Sequence, residues 1–407
     1  MPNSLKNELS SISRAFIATV SLLVLVVSAQ AKPIYLYLTY PGDPSTSITV
    51  NYQTERPIKD STVRYDTKSR KHLRGYSYQA EGTTLQVPGL PVERTIHTVT
   101  LRGLKPDTNY YFTAGSVQDG FTEERWFRTV PAGDEPIRFI TGGDMDSTPL
   151  TQALLKQAAK KDPLFLVVGG DIAYANADVQ NYKQWDRWFD NWEKLMITPN
   201  GRTIPVVTAI GNHETNKSDS PDPKERARFY FEYFGRQSEL TYYERKFGSN
   251  IALFVLDSGH IAPHDGAQRE WLNQALERNK DVPYRFAVYH VPLYPSHRDF
   301  EGKGSVLGRT HWLPLFDQYK LTAAFENHDH TFKRTHLLRG NQVSPDGTLY
   351  IGDGSFGVDP REIEGDLRWY EAKALQTGHF WVIDVTPAGV TYTAFGKDGE
   401  LIDKFPE

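Results

Sequence analysis

The chain has 407 residues, enough for two or three domains with a sizeable core. Apolar residues make up 39%, charged residues 24% and aromatics 13%, which are globular proportions and exclude a mainly disordered chain. A formal net charge of -4 supplies no basic field for nucleic acid, and the absence of cysteine excludes disulfides and thiolate-zinc sites.

Residues 1–31 read as a signal peptide. Lys6 and Arg14 precede an apolar run from Ala15 to Val27, and Ala29-Gln30-Ala31 is a small-x-small cleavage pattern. The run is shorter than the about 20 residues a spanning helix needs. No cysteine follows to carry a lipid, and no later stretch approaches spanning length. The expectation is a mature exported protein beginning near Lys32, secreted or periplasmic, with no membrane anchor after cleavage. An uncleaved anchor is the alternative. Oligomeric state is not legible.

Residues 32–132 read as an all-β sandwich. Ser47–Thr54, Ser61–Tyr65 and Thr98–Leu101 alternate with period two, and turn residues separate such runs at short intervals. Leu104 precedes Tyr110 by six residues, with Pro106-Asp107-Thr108 between them. This pattern resembles the tyrosine corner of fibronectin type III modules, in which the phenol bonds backbone upstream. Pro131 to Pro136 forms a short linker.

From Ile137 apolar runs alternate with helical segments, the pattern of an α/β domain over 137–407. Helices are predicted over 149–160, 182–196 and 268–276. In the second, Trp185, Trp188, Phe189, Trp192 and Leu195 share one face and read as core. Strands are predicted at 250–256, 284–288, 321–325, 379–385 and 390–395.

Five short segments carry the chemistry, in this order: Gly143-Asp144, Gly170-Asp171-Ile172-Ala173-Tyr174, Gly211-Asn212-His213-Glu214, Val288-Tyr289-His290 and Asn327-His328-Asp329-His330. Apolar runs at 137–141, 164–168 and 204–210 precede the first three. Groups at the carboxyl ends of strands converge on one crevice of an α/β sheet. Carboxylate, imidazole, amide and phenol together suit borderline or hard ions such as Zn, Fe or Mn.

In order and content these blocks resemble the purple acid phosphatases, within the calcineurin-like metallophosphoesterase superfamily. The resemblance covers about residues 137–335, and larger members also carry a fibronectin-like module in front. It implies a four-layer α/β/β/α metallophosphoesterase domain behind that sandwich. It also implies two metal ions, with Fe in the first site and Zn, Mn or Fe in the second. By resemblance Asp144, Asp171, Tyr174 and His330 hold the first metal, and Asp171, Asn212, His290 and His328 hold the second, with Asp171 bridging. A bridging carboxylate suits the roughly 3.5–4 Å separation of two-metal hydrolysis. A phenol with a pKa near about 10 binds as phenolate only to a strong Lewis acid such as ferric iron. The first block, Asp144-Met145-Asp146, lacks a histidine, and Tyr174 fills that gap.

Two positions depart from the family pattern: Asp146 and Asn327 stand where glycine is usual. Asp146 reads as an outer acceptor, a direct ligand or a solvated turn residue, with the first and last favoured. His213, His297 and Glu301 resemble the family's substrate-side residues, although the spacing to His297 is shorter by about two residues. Arg298 reads either as a phosphate contact or as a solvated loop cation. His97, His260, His264, His311, His336 and His379 carry no motif and read as structural. The implied reaction is phosphomonoester hydrolysis by a metal-bound hydroxide, with a phosphate ester as the partner. A phosphodiesterase or nucleotide-cleaving enzyme is the alternative on the same residues, and a non-catalytic surface-binding protein is the third reading.

Overall fold

The computed structural model describes residues 32–406 except 217, 236 and 237. The proposed signal peptide lies outside the described residues. The described residues form one compact unit.

Strands β1 (Ile34–Thr39), β2 (Ser47–Thr54), β3 (Thr62–Asp66), β4 (Tyr78–Glu81), β5 (Thr83–Leu85), β6 (Thr95–Arg102), β7 (Asn109–Ser116), β8 (Gly120–Phe121) and β9 (Arg125–Arg128) build the N-terminal sandwich. One sheet has the order β1-β2-β6-β5. The other has β4-β3-β7-β8, with β9 also on β7. Alternation sends Ile48, Val50, Tyr52, Val99 and Leu101 into the sandwich core, with Val63 and Phe112 from the opposite sheet. Tyr110 makes the corner bond, its phenol oxygen accepting from the Lys105 N–H at 2.9 Å.

His97 lies fully buried in this module, between the hydroxyls of Thr54 (2.9 Å) and Ser61 (2.7 Å), and stacks on Tyr52 at 4.4 Å. Burial pushes its imidazole down from 6.5 to about 4. The unfolded chain therefore binds this proton at higher pH than the folded one. The stabilisation is complete above about 6.5 and is lost as pH falls through about 4. Denaturant unfolding between about pH 7 and 4 is expected to show His97 contributing up to about 3 kcal/mol of that loss. The slope should flatten in His97→Gln, and an unchanged slope would show that His97 titrates alike in the folded and unfolded states.

The second region begins with β10 (Ile137–Gly142), α1 (Pro149–Lys160), β11 (Phe165–Val168), α2 (Tyr182–Leu195), β12 (Val206–Thr208), α3 (Pro223–Arg226) and α4 (Arg228–Phe234). It continues with β13 (Tyr243–Phe247), β14 (Ile251–Val255), α5 (Gly266–Arg278), β15 (Tyr284–Val288), α6 (Lys303–His311), α7 (Leu313–Gln318) and β16 (Ala323–Phe325). It closes with β17 (Phe332–Arg339), β18 (Gln342–Val343), β19 (Thr348–Gly352), β20 (Glu371–Leu375), β21 (Phe380–Thr386), β22 (Gly389–Phe395) and β23 (Leu401–Phe405). Helix α1 has the predicted bounds because Thr148 caps it, bonding Thr151 reciprocally, with Pro149 in the first turn.

Two sheets stack. One has the order β12-β11-β10-β21-β22-β23, the other β13-β14-β15-β16-β19-β17-β18 with β20 on β17. Period-two alternation decides the layers. Phe139, Phe165, Leu253, Phe286 and Phe325 meet between the sheets. Ile140, Leu166 and Val206 face the other way, onto Leu154 of α1 and the aromatic stripe of α2. Ala252, Phe254 and Ala287 face Leu272 of α5 and Phe316 of α7. The result is the expected α/β/β/α sandwich.

The aromatic stripe on α2 is core, and it also receives the N-terminal module. Tyr37 and Ile96 leave the sandwich face to join this cluster. The Tyr37 hydroxyl donates to the Tyr233 carbonyl (2.8 Å), and Arg94 pairs with Asp186 (3.0 Å) and Arg125 with Glu193 (2.9 Å). All eight residues of β2 are buried, so this face of the module is a mount rather than a free binding surface. No helix among the described residues is long and apolar enough to cross a membrane.

Candidate metal centre

β10, β11 and β12 run parallel in one sheet, as do β14, β15 and β16 in the other. Asp144, Asp171 and Asn212 follow the carboxyl ends of the first set. His290 and His328 follow β15 and β16. The two sheets therefore deliver their donors to one place. Asp144, Asp171, Tyr174, His328 and His330 all have positive φ, between 51° and 79°. Non-glycine residues rarely adopt this region, and such strain is retained where the surroundings over-determine it.

Two groups of donors result. In the first, His330 Nε2 lies 3.0 Å from Asp144 Oδ1, and the Tyr174 hydroxyl lies 3.2 Å from that oxygen and 3.4 Å from His330 Nε2. In the second, His290 Nε2 lies 3.1 Å from Asp171 Oδ2, from Asn212 Oδ1 and from His328 Nδ1. Donor atoms of Asp171, His290 and His328 fall within 4.8 Å of one another. His290 is oriented through Nδ1, 3.0 Å from the Gly169 carbonyl, which leaves Nε2 as the ligating pole. Gly354 keeps the space beside Asp144 open: a Cβ there would lie 2.1 Å from Asp144 Oδ2.

The electrostatics suit a cation. Asp144 and Asp171 are buried to within 1%. Burial alone would raise the Asp171 carboxyl, yet His290 beside it holds it well below the usual range. Burial would lower His290, but Asp171 and Asp144 push it up to about 10. His328 goes the opposite way, far down, through burial and the neighbouring His290. Burial, then Asp144 and Asp171, drive the Tyr174 phenol far above its ordinary value. Paired carboxylates draw a proton onto His290, and a metal would replace that proton with more charge. The donors present thus fit two hard or borderline ions.

His213 packs its ring on Tyr174 at 4.1 Å, and its Nε2 is 3.9 Å from Asp171 Oδ2. Its Nδ1 meets Asn176 Oδ1 at 2.6 Å, and its backbone N–H donates to Asp171 Oδ1 at 2.7 Å. Burial lowers its imidazole below the usual value. His297 is half-buried, with its backbone N–H on Asp329. Glu301 is not brought to this group. Its side chain is 71% exposed and pairs with Arg309 at 3.7 Å, because the turn into α6 directs it away. Arg298 is half-buried against Asp329 (3.4 Å) and the His328 carbonyl (3.4 Å). Asp146 accepts from the Ser147 N–H at 2.7 Å, as a turn residue does. Asn327 donates to the Tyr289 carbonyl at 2.9 Å and fills the space that Gly143 and Gly169 leave.

Three residues acquire importance that their motifs did not signal. Glu214 is buried and accepts from the N–H groups of Asp171 (2.7 Å), Ile172 (2.7 Å) and Gly211 (2.8 Å), so it locks two ligand loops together. Burial and Asp171 raise its carboxyl to about 8. Its place three residues after Gly211, as in a capping box, is the available sequence signal. His260, outside every motif, lies ring to ring with His290 at 5.5 Å. Asp329, between two ligands in sequence, is fully buried.

Fold and donor set are those of the calcineurin-like phosphoesterase class. Residues 138–332 match the family model "Calcineurin-like phosphoesterase", and residues 33–129 match "Purple acid Phosphatase, N-terminal domain". The chain belongs to the purple acid phosphatase family, whose members use a binuclear metal centre. It is 28% identical over 343 residues to an uncharacterized protein of Mycobacterium tuberculosis, covering 75% of this chain and 62% of that protein. The chain therefore spans less than two thirds of that relative's length. It is 28% identical over 319 residues to probable purple acid phosphatase 20 of Arabidopsis thaliana, covering 76% and 70%. The structure of purple acid phosphatase PPD1 from yellow lupin seeds shares the fold, with a TM-score of 0.76 at 20% identity, over 92% of this chain and 74% of that one.

Proposed function

We propose that this chain is an exported binuclear-metal enzyme that hydrolyses phosphomonoesters. The supporting observation is the gathering of Asp144, Asp171, Tyr174, Asn212, His290, His328 and His330 from both sheets, with His213 at 3.9 Å from Asp171. Asp144, Tyr174 and His330 would hold one metal, Asn212, His290 and His328 the other, and Asp171 both. Iron suits the phenol-bearing site; Zn, Mn or Fe suits the second. When bound, the metals acidify a water for attack on phosphorus and neutralise phosphoryl charge.

The chain's own groups divide the remaining work. Asn176 fixes the His213 ring through Nδ1, so Nε2 is the pole left for substrate, and it protonates the leaving alcohol only from the imidazolium form. His297 makes the same use of Nδ1, placed 3.1 Å from the Glu362 carbonyl. A carbonyl only accepts, so Nδ1 carries the hydrogen and Nε2 is left for substrate. Glu301 has no part in this scheme. Export rests on the N-terminal pattern of residues 1–31.

Metal analysis with a visible spectrum, on protein purified without chelator, tests the reading. About two metals per chain including iron, with a broad phenolate-to-ferric band that vanishes in Tyr174→Phe, is the expected result. Two metals without the band would remove Tyr174 from its role and favour Mn or Zn. No metal, and none taken up on reconstitution, would overturn the enzymatic reading. Rates on a monoester and a diester from the same sample decide the substrate type, and a faster diester rate would reverse the assignment.

A further inference from the structure

The segment carrying His297 and Arg298 is held from two sides by opposite charges. On one side, Asp329 Oδ2 accepts from the backbone N–H of His297 (2.8 Å) and of Arg298 (3.2 Å), while Oδ1 lies 3.4 Å from Arg298 Nε. Asp329 stands between His328 and His330 in sequence and is itself 0% exposed. On the other side, Arg368 donates to three carbonyls: Pro295 at 2.6 Å, Arg298 at 2.7 Å and His297 at 3.2 Å. Arg368 lies 71 residues from His297 in sequence and belongs to no motif. The segment has little regular structure of its own, so these bonds supply what a sheet or helix would otherwise supply.

We propose that Asp329 and Arg368 are positioning residues that mount the substrate loop on the metal-ligand loop, so that His297 and Arg298 meet a phosphate ester held at the metals. The inference rests on the phosphoesterase reading for its substrate. Its geometry is independent of that reading. Asp329 ties the loop's donors to the His328–His330 turn, and the Arg368 fork ties its acceptors to the chain before β20. Neither residue is a metal ligand or touches substrate. Releasing either side leaves the seven donors in place and lets the loop drift. A displacement of about 1 Å in a positioning group is enough to cost roughly a hundredfold in rate or affinity.

The test uses full-length, metal-reconstituted Asp329→Ala, Asp329→Asn, Arg368→Met and Arg368→Lys. Metal per chain, unfolding midpoint, kcat, KM and calorimetric binding of inorganic phosphate are measured for each. In Asp329→Ala and Arg368→Met, KM and the phosphate Kd should rise about 10-fold or more, with both metals retained and kcat less affected. Asp329→Asn keeps an oxygen that accepts both N–H groups and should recover most of the binding. Arg368→Lys keeps the charge but loses the fork, and should recover only part. An Asn variant as damaged as the Ala variant, loss of metal in parallel with binding, or unchanged KM and phosphate Kd would each overturn the proposal. If the wild-type two-metal protein hydrolyses no phosphate ester, the phosphoesterase reading fails, and the phosphate titration still decides whether the clamp positions an oxyanion site.

Discussion

Replacing Asp171 by Ala is expected to lower kcat/KM on a phosphomonoester roughly a thousandfold or more and to remove metal at the same time. Asp171 is the residue that both metal sites would share in the proposed scheme. One oxygen lies 3.1 Å from His290 Nε2, and the other accepts the His213 N–H at 2.7 Å. Its backbone N–H is held by Glu214 at 2.7 Å. Its deletion takes a buried negative charge from beside His290 and from between the two proposed cation sites, and frees the backbone that presents His213. Asp171→Asn keeps the shape and removes only the charge, so it should fold normally and still bind metal poorly. Elemental analysis and steady-state kinetics on the same sample check both parts. A metal-replete, fully active Asp171→Ala enzyme would sink the assignment of this site.

The second large effect concerns stability. Lys333 is completely buried, and so are both of its partners, Glu326 at 2.6 Å and Asp353 at 3.1 Å. The ammonium also donates to the Tyr294 carbonyl. Burial alone would lower its pKa, but Asp353 and Glu326 raise it above the ordinary lysine value. The other Glu326 oxygen accepts from the Tyr289 hydroxyl and the Leu293 N–H, both at 2.7 Å. Lys333→Met would leave two carboxylates buried without a counter-charge. Breaking such a network from one side costs about 3–5 kcal/mol, because the cost is that of the orphaned charges. Removing all three charges together, in Lys333→Met with Glu326→Gln and Asp353→Asn, should return much of that stability. Urea unfolding of the metal-free forms measures both quantities. A triple variant no more stable than the single one would show that hydrogen-bond geometry, rather than charge, holds these segments.

Much of the site was legible because its donors sit in local strand-end patterns. A short apolar run followed by Gly-Asp or Gly-Asn-His is visible without tertiary information, and the same applies to helix α1, whose cap and proline lie within a few residues of its start. The tyrosine corner was legible for the same reason, since Tyr110 and Lys105 are five residues apart. Glu301 shows where this ends. It resembles the family's substrate-side glutamate by its place after the His290 segment, yet the turn into α6 sends it to Arg309. His260 shows the converse: no motif marks it, and only the packing of its loop brings it to His290.

Sequence by itself determined which donors exist, their order, and that they end strands, because donor chemistry and apolar periodicity belong to residues and their near neighbours. Tertiary structure alone decided which groups meet. The His328 N–H reaches Asp144 across 184 residues, the Lys333 ion pairs are completed inside a closed core, and Arg368 meets a loop it never approaches in sequence. Those distances follow from the stacking of two twisted sheets and the direction of each turn. They are set by the packing of the whole chain, which no local pattern encodes.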